Sequence, residues 1–256
     1  MIHKDQPLKR LGRVPLERAF SKLGLASRAQ ARQWIAEGRV RVDGKMIIDP
    51  LAMVTPEKIR IELDGQRLGK TVWRVVMLNK PRGIVTTRRD EQGRPTVFSL
   101  LKTTDAYLHP VGRLDMATSG LLLLTNDTRL SDWLTDPINK IIRIYVVSVE
   151  GKVTPENLVQ LQQGIKDEGE LLKPEKVLLR KSSHRESHLT VELTEGKNRE
   201  IRRMFKAIGH EVTVLKRVAF GPLQLGDLSV GSGREISYKE LAAAFPKLPK
   251  SALTAG

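Results

Sequence analysis

This chain is predicted to have an α+β fold in two parts, a small unit of two helices with a curled sheet and a larger sheet-and-helix domain, on three observations. Its 256 residues leave room for two cores of ordinary size. Residues 16–45 carry two runs at helical spacing followed by an Asp-Gly hairpin signal. Beyond residue 74, alternating and continuous apolar strands dominate, with one strongly amphipathic helix among them.

Residues 1–14 are basic, lack apolar periodicity and end at Pro15, so a disordered arm is expected. Leu16, Ala19, Phe20 and Leu23 then recur as one helix face, and Gly24 stops that helix. Ser27 and Gln30 have the spacing of a capping box that opens a second helix, with Ala31, Trp34 and Ile35 on one face and Arg28 and Arg32 on another. That helix ends at Gly38. In RVRVDGK, Arg39 and Arg41 alternate with Val40 and Val42 before an Asp43-Gly44 turn, and the sheet continues through Ile59, Ile61 and Leu63 to close at Asp64 and Gly65. The first unit thus spans 15–65, with a short polar linker at 66–73.

Residues 74–245 read as one α+β domain, followed by a polar tail at 246–256. WRVVMLNKPRG is a strand entering a Lys-Pro-x-Gly turn, RPTVFSLL a short helix, and Leu121 to Leu124 a strand buried on both sides. Strands follow at Ile141 to Val149 and His188 to Leu193. Ile201, Met204, Phe205 and Ile208 fall at i, i+3, i+4, i+7, so they define a helix whose other face carries Arg199, Arg202, Arg203 and Lys206. VTVLKRVAFGPLQLG returns as strand.

Composition narrows the function. Forty-four Lys and Arg against 29 Asp and Glu leave a charge of +15, which points to a polyanionic partner. Nothing approaches the ~18 apolar residues of a spanning helix, and the first residues lack the apolar core of a signal peptide, so a cytoplasmic protein with no membrane partner is expected. With no cysteine and five scattered histidines, disulfides, thiolate nucleophiles and a metal site are not expected. His184 and His188, at helical spacing, lie in the polar stretch KSSHRESH and read as a solvated loop or strand start.

Residues 1–70 hold 15 basic and 8 acidic side chains, nearly half the net charge in a quarter of the chain. A solvated helix face explains most such runs. Here Arg28, Arg32, Arg39, Arg41 and Lys45 converge on one helix and the adjoining hairpin. The stretch LERAFSKLGLASRAQARQWIAEGRVRVDGK resembles the αL RNA-binding module first described in a small-subunit ribosomal protein, matching at Gly24, Ser27, Arg28, Ala31, Ile35, Gly38, Arg39, Val40, Val42, Gly44 and Lys45. Asp43 stands where Asn is common. The resemblance implies that Ser27, Arg28, Arg32, Arg39, Arg41 and Lys45 serve recognition of structured RNA through phosphates and shape.

In VGRLDMATSGLLLLTND, residues 111–127, a carboxylate, Asp115, sits just before the most apolar strand of the chain, where an isolated charge needs a partner or a function. The segment HPVGRLDMATSGLLLLTND is similar to the signature of bacterial ribosomal-RNA pseudouridine synthases of the RsuA/RluB type, and NKPRG, RPTVFSLL, RIYVV and LTEGKNREIRRMF match that family's other segments in order. The resemblance covers about residues 15–240 and implies a catalytic domain with a mixed, largely antiparallel sheet. It also implies a cofactor-free isomerase that breaks the N1-glycosidic bond of a flipped-out uridine in ribosomal RNA, free or in a pre-ribosomal particle, and rejoins the sugar at C5.

By that resemblance Asp115 is the essential aspartate, either nucleophile at the sugar or base toward a sugar proton, with Arg202 as the cation that keeps it ionised. Tyr145 stacks on the base with a share in proton transfer at C5, Leu193 packs against it, and Arg113 fills the gap left by the flipped nucleotide. Lys80, Arg199, Arg203 and Lys206 neutralise phosphates, which predicts a steep salt dependence. One departure is Arg143, where the family often has Lys, which bears on RNA contacts. A monomer is expected. The alternative from another class is a non-catalytic RNA-binding assembly factor that keeps Asp115 for structure. A DNA-binding regulator is disfavoured because the two short helices lead into an RNA-type hairpin.

Overall fold

The computed structural model describes residues 12–69, 72–88, 90–101 and 108–249. Most of the expected basic arm, 1–11, and the tail from 250 onward lie outside the described residues.

The N-terminal unit contains β1 (Val14–Pro15), α1 (Leu16–Lys22), α2 (Arg28–Ala36), β2 (Val40–Val42), β3 (Lys45–Met46), β4 (Met53–Val54), β5 (Ile61–Leu63) and β6 (Gln66–Arg67). Leu16, Phe20, Ala31, Ile35, Val40 and Ile61 form its core, as the helical and strand spacings require. Ser27 caps α2 by accepting from the Gln30 N–H at 3.0 Å, but the reciprocal half of the capping box is not formed. The hairpin turns through Asp43 and Gly44, both at positive φ.

The structure differs from expectation at four places in this unit. Val14, placed in the arm, pairs with Val54 and is buried, because an apolar residue beside the core gains more by joining it than by staying solvated. Ile59 follows a 3-10 turn at Pro56–Lys58, the Pro favouring the turn over an earlier strand start. The sheet does not close at Gly65, since β6 pairs with β5 through Glu62 and Leu63. Leu68 of the expected linker packs on the core.

The larger unit continues with β7 (Val75–Lys80), β8 (His109–Pro110), β9 (Ser119–Thr125), α3 (Thr128–Thr135), β10 (Arg143–Glu150), α4 (Pro155–Gln163), β11 (Ile165–Asp167), β12 (Glu170–Leu172), β13 (Lys176–Ser182), β14 (Glu186–Leu193), α5 (Glu200–Ala207), β15 (Val212–Phe220), β16 (Leu223–Gln224), β17 (Gly233–Glu235) and α6 (Tyr238–Ala244). The main path of its sheet runs β13-β14-β10-β15-β9-β7-β17, antiparallel except where β15 meets β9 in parallel. The sheet is therefore mixed and largely antiparallel. RPTVFSLL forms a 3-10 turn at Val97–Leu100, too short for an α-helix. Leu248, in the expected polar tail, is buried beside Phe245.

Four consecutive leucines are explained by two cores on opposite faces of this sheet. Leu122 and Leu124 pack with Tyr145, Val147 and Phe205 on one face. Leu121 and Leu123 pack with Met77, Phe220 and Leu241 on the other. A strand buried on both sides needs no polar alternation.

Candidate active site

β7 ends beside the start of β9, Lys80 opposite Gly120, and the loop that carries Asp115 runs directly into β9. Five consecutive carbonyls of that loop are held from outside or by its own turn. Thr86 Oγ1 donates to the Leu114 oxygen (2.7 Å), the Thr118 N–H to that of Asp115 (3.0 Å), and the Gly83 N–H to that of Met116 (2.8 Å). Arg202 Nη2 donates to the Ala117 oxygen (3.2 Å), and Lys80 Nζ to those of Thr118 (2.7 Å) and Asp115 (3.1 Å). Carbonyls turned away from bulk water demand donors, and here, apart from the loop's own turn, the donors come from the NKPRG turn, Thr86 and α5, so three segments fix one loop.

The loop is pinned while its carboxylate is left unspent. Among the described residues the half-buried Asp115 side chain takes part in no hydrogen bond and no ion pair. It faces an open cleft of about 430 Å³ lined also by Arg113, Met116, Thr86, Asp90 and Arg94. The Asp90–Arg94 fork stiffens the opposite rim.

Arg202 is near Asp115 but is not its salt-bridge partner. The guanidinium forks to the Val212 and Ala117 carbonyls, while its buried Nε finds no acceptor among the described residues. Burial, then Arg199, pulls its pKa below the ordinary guanidinium value, and the charge of Asp115 opposes that. The expected ion pair is thus a nearby field, because backbone acceptors of the same loop have taken the guanidinium.

Lys80 also departs from expectation. Fully buried, it gives its ammonium to three carbonyls, those of Thr118, Asp115 and Pro81, so it clamps the loop and is not open to phosphate. Burial pushes its pKa down to about 8 against the pull of Asp115. Arg203 is likewise engaged, by Asp167 and Glu170 of the β11–β12 hairpin, whereas Arg199 and Lys206 are exposed. In the N-terminal unit Arg28, Arg41 and Lys45 are exposed, Arg32 is paired with Glu17, and Arg39 with Glu37 and Asp64.

Tyr145 and Leu193 are brought together on neighbouring strands in the core that also holds Leu114, but neither lines the cleft. Tyr145 is only 8% exposed, so its ring is not open to stacking on a base in this structure. Arg143 is buried too, donating to the Thr194 and Leu134 carbonyls and lying over Phe220, which makes it a structural cation and not an RNA contact.

Glu200, at the start of α5, had no expected role. Its Oε2 accepts from the Lys197 N–H (3.2 Å) and its Oε1 has no partner among the described residues. Burial first, then the neighbouring Glu195, pushes its pKa from the ordinary 4.5 up to about 7. The folded chain keeps a proton that the unfolded chain loses, so this contribution is complete below the ordinary pKa and is lost as pH rises through the folded one, amounting to ~3 kcal/mol. Glu200→Gln is expected to gain about 3 kcal/mol over the parent near pH 8 and nothing near pH 4, which urea unfolding at the two pH values measures.

Residues 74–207 match the RNA pseudouridylate synthase family, and residues 16–58 match the S4 domain. The chain is 37% identical over 233 residues to an uncharacterized RNA pseudouridine synthase of Aquifex aeolicus, covering 91% of this chain and 94% of that one. It is also 37% identical over 228 residues to the ribosomal large subunit pseudouridine synthase B of Bacillus subtilis, covering 88% and 93%. A solved pseudouridylate synthase superposes with a TM-score of 0.64 at 26% identity, over 90% of this chain and 99% of that structure. Among the described residues, no helix is long and apolar enough to cross a membrane.

Proposed function

This chain belongs to the RNA pseudouridylate synthase family and isomerises uridine to pseudouridine in RNA, and from that premise we propose that its target is a uridine of large-subunit ribosomal RNA and that Asp115 carries the chemistry. The observation that carries this reading is the clamped loop with its unspent carboxylate. Every carbonyl from Leu114 to Thr118 is occupied, so reorganisation on binding is small, while the side chain stays available to the ligand.

The uridine is flipped from its stack into the cleft, at a cost of a few kcal/mol that is least in a loop or bulge. Asp115 then either adds to C1′ of the ribose or removes a proton from the sugar, and the N1–C1′ bond breaks. The uracil turns and C5 bonds to C1′, which in the first route displaces the Asp115 oxygen and in the second is accompanied by return of the sugar proton from Asp115; the C5 proton then leaves while N1 gains one, so atoms balance without an oxidant or a cofactor. Arg113, exposed on the cleft rim, fills the vacated stack. Tyr145 and Leu193 contact the base, which requires the buried Tyr145 ring to become accessible, and Arg202 supplies positive potential to the carboxylate. The N-terminal unit, expected as residues 15–65 and extended by the pairing of Val14, β6 and the packing of Leu68 to 14–68, holds the RNA through Ser27, Arg28, Arg32, Arg39, Arg41 and Lys45, with Arg199 and Lys206 contributing from α5. The protein acts as a cytoplasmic monomer, on free RNA or a pre-ribosomal particle.

Pseudouridine mapping by carbodiimide labelling and primer extension tests this in cells lacking the gene and in cells with it restored. One large-subunit site that disappears and returns is the expected result. Unchanged maps of both subunits would exclude ribosomal RNA as the target and favour another RNA substrate or a non-catalytic assembly role.

A further inference from the structure

The two units meet at a crevice of about 280 Å³, just under the ~300–1,000 Å³ of ligand sites. Its apolar side is made by Leu23, Leu25, Ile61 and Leu68 of the N-terminal unit and Trp73 of the larger one. Lys22, Arg60 and Arg67 also line it, and among the described residues none of the three is in an ion pair. The acids present are Glu57 and Asp127, and Asp127 is already committed to capping α3 and to Arg129. The indole N–H of Trp73 is buried with no acceptor among the described residues. A crevice with an apolar side, one aromatic wall and surplus cations fits a ring carrying an anion, as a nucleotide does.

The crevice lies at a fixed distance from Asp115. Trp73 precedes β7 and Asp127 follows β9, whereas Lys80 and Ser119, at the other ends of these strands, adjoin the Asp115 loop. Six residues of strand at ~3.3 Å each separate the two places by about 20 Å. We propose that the crevice binds one unpaired nucleotide of the substrate RNA, its base against Trp73 and Leu68 and its phosphate on Arg60 and Arg67, and so sets which uridine reaches Asp115. This rests on the reading of RNA as substrate given above.

Trp34→Phe with Trp133→Phe leaves Trp73 as the one tryptophan, since the chain has three. Titrated with a ten-residue uridine oligonucleotide, this protein is expected to show saturable quenching. With Arg60→Glu and Arg67→Glu added, quenching is expected to vanish, and in the otherwise native chain the slope of log affinity against log salt should fall by about 0.7, for one phosphate no longer neutralised. Absent quenching, or quenching indifferent to the charge reversals, overturns the proposal. A 4-thiouridine oligonucleotide crosslinked to the unaltered chain gives an independent reading. Attachment at Trp73 or Leu68 supports the site, and attachment only elsewhere refutes it. Pseudouridine formation by the unaltered chain is scored in parallel on a large-subunit RNA transcript. Its loss would sink the substrate assignment, whereas activity without Trp73 quenching would sink only the crevice.

Discussion

Asp115→Asn is expected to lower pseudouridine formation by at least about 10³-fold, some 4 kcal/mol of barrier, while leaving unfolding free energy within about 0.5 kcal/mol of the parent. The two halves of this expectation have separate causes. Activity falls because the amide neither attacks carbon nor accepts a proton as a carboxylate does. Stability holds because the native carboxylate bonds to nothing among the described residues, and the loop is fixed through its backbone by Lys80, Gly83, Thr86, Thr118 and Arg202. Tritium release from 5-labelled uridine in RNA reads the first, and urea unfolding the second. Retained activity would remove Asp115 from the chemistry. Lost stability would mean that the carboxylate serves the fold, as the assembly-factor alternative holds.

Gly120→Ala is expected to cost more than about 4 kcal/mol of stability, or to prevent folding. Gly120 has a φ of +102°, and a Cβ there would sit 2.1 Å from the Arg217 carbonyl oxygen and 2.8 Å from its nitrogen. Both are backbone atoms of β15, at the parallel crossing of Arg217 with Gly120, so no side-chain rotation relieves the clash. The shift would also reach Lys80, paired with Gly120 on the other side, and through it the Asp115 loop. Gly196→Ala is the control, because a Cβ there meets nothing within 4 Å. Thermal melts of the two variants should separate clearly, and a Gly120→Ala protein that melts with the parent would refute the steric account.

Several elements were legible because their signals are local. The spacing of Leu16, Ala19 and Phe20, the Asp43-Gly44 turn and the period of Ile201, Met204 and Phe205 each concern side chains a few residues apart. Runs without such signals were not anticipated. α3, α4, α6 and the β11–β12 hairpin have mixed or polar faces, and they form where the sheet offers a surface to cover. Segment ends were less legible, as Val14, Leu68 and Leu248 show, since whether a terminal apolar residue is buried depends on a neighbour distant in sequence.

By itself the amino-acid sequence determined the α+β class, the family and the position of Asp115, since each rests on residue types at short spacing. Only the tertiary structure decided what the cations do. Lys80, Arg143 and Arg203 look as available in sequence as Arg199 and Lys206, yet the first is taken by three carbonyls, the second by Thr194 and Leu134, and the third by Asp167 and Glu170. A buried charge must find partners wherever the fold brings acceptors within about 3 Å, and those acceptors are often backbone oxygens far along the chain that carry no residue-type signal.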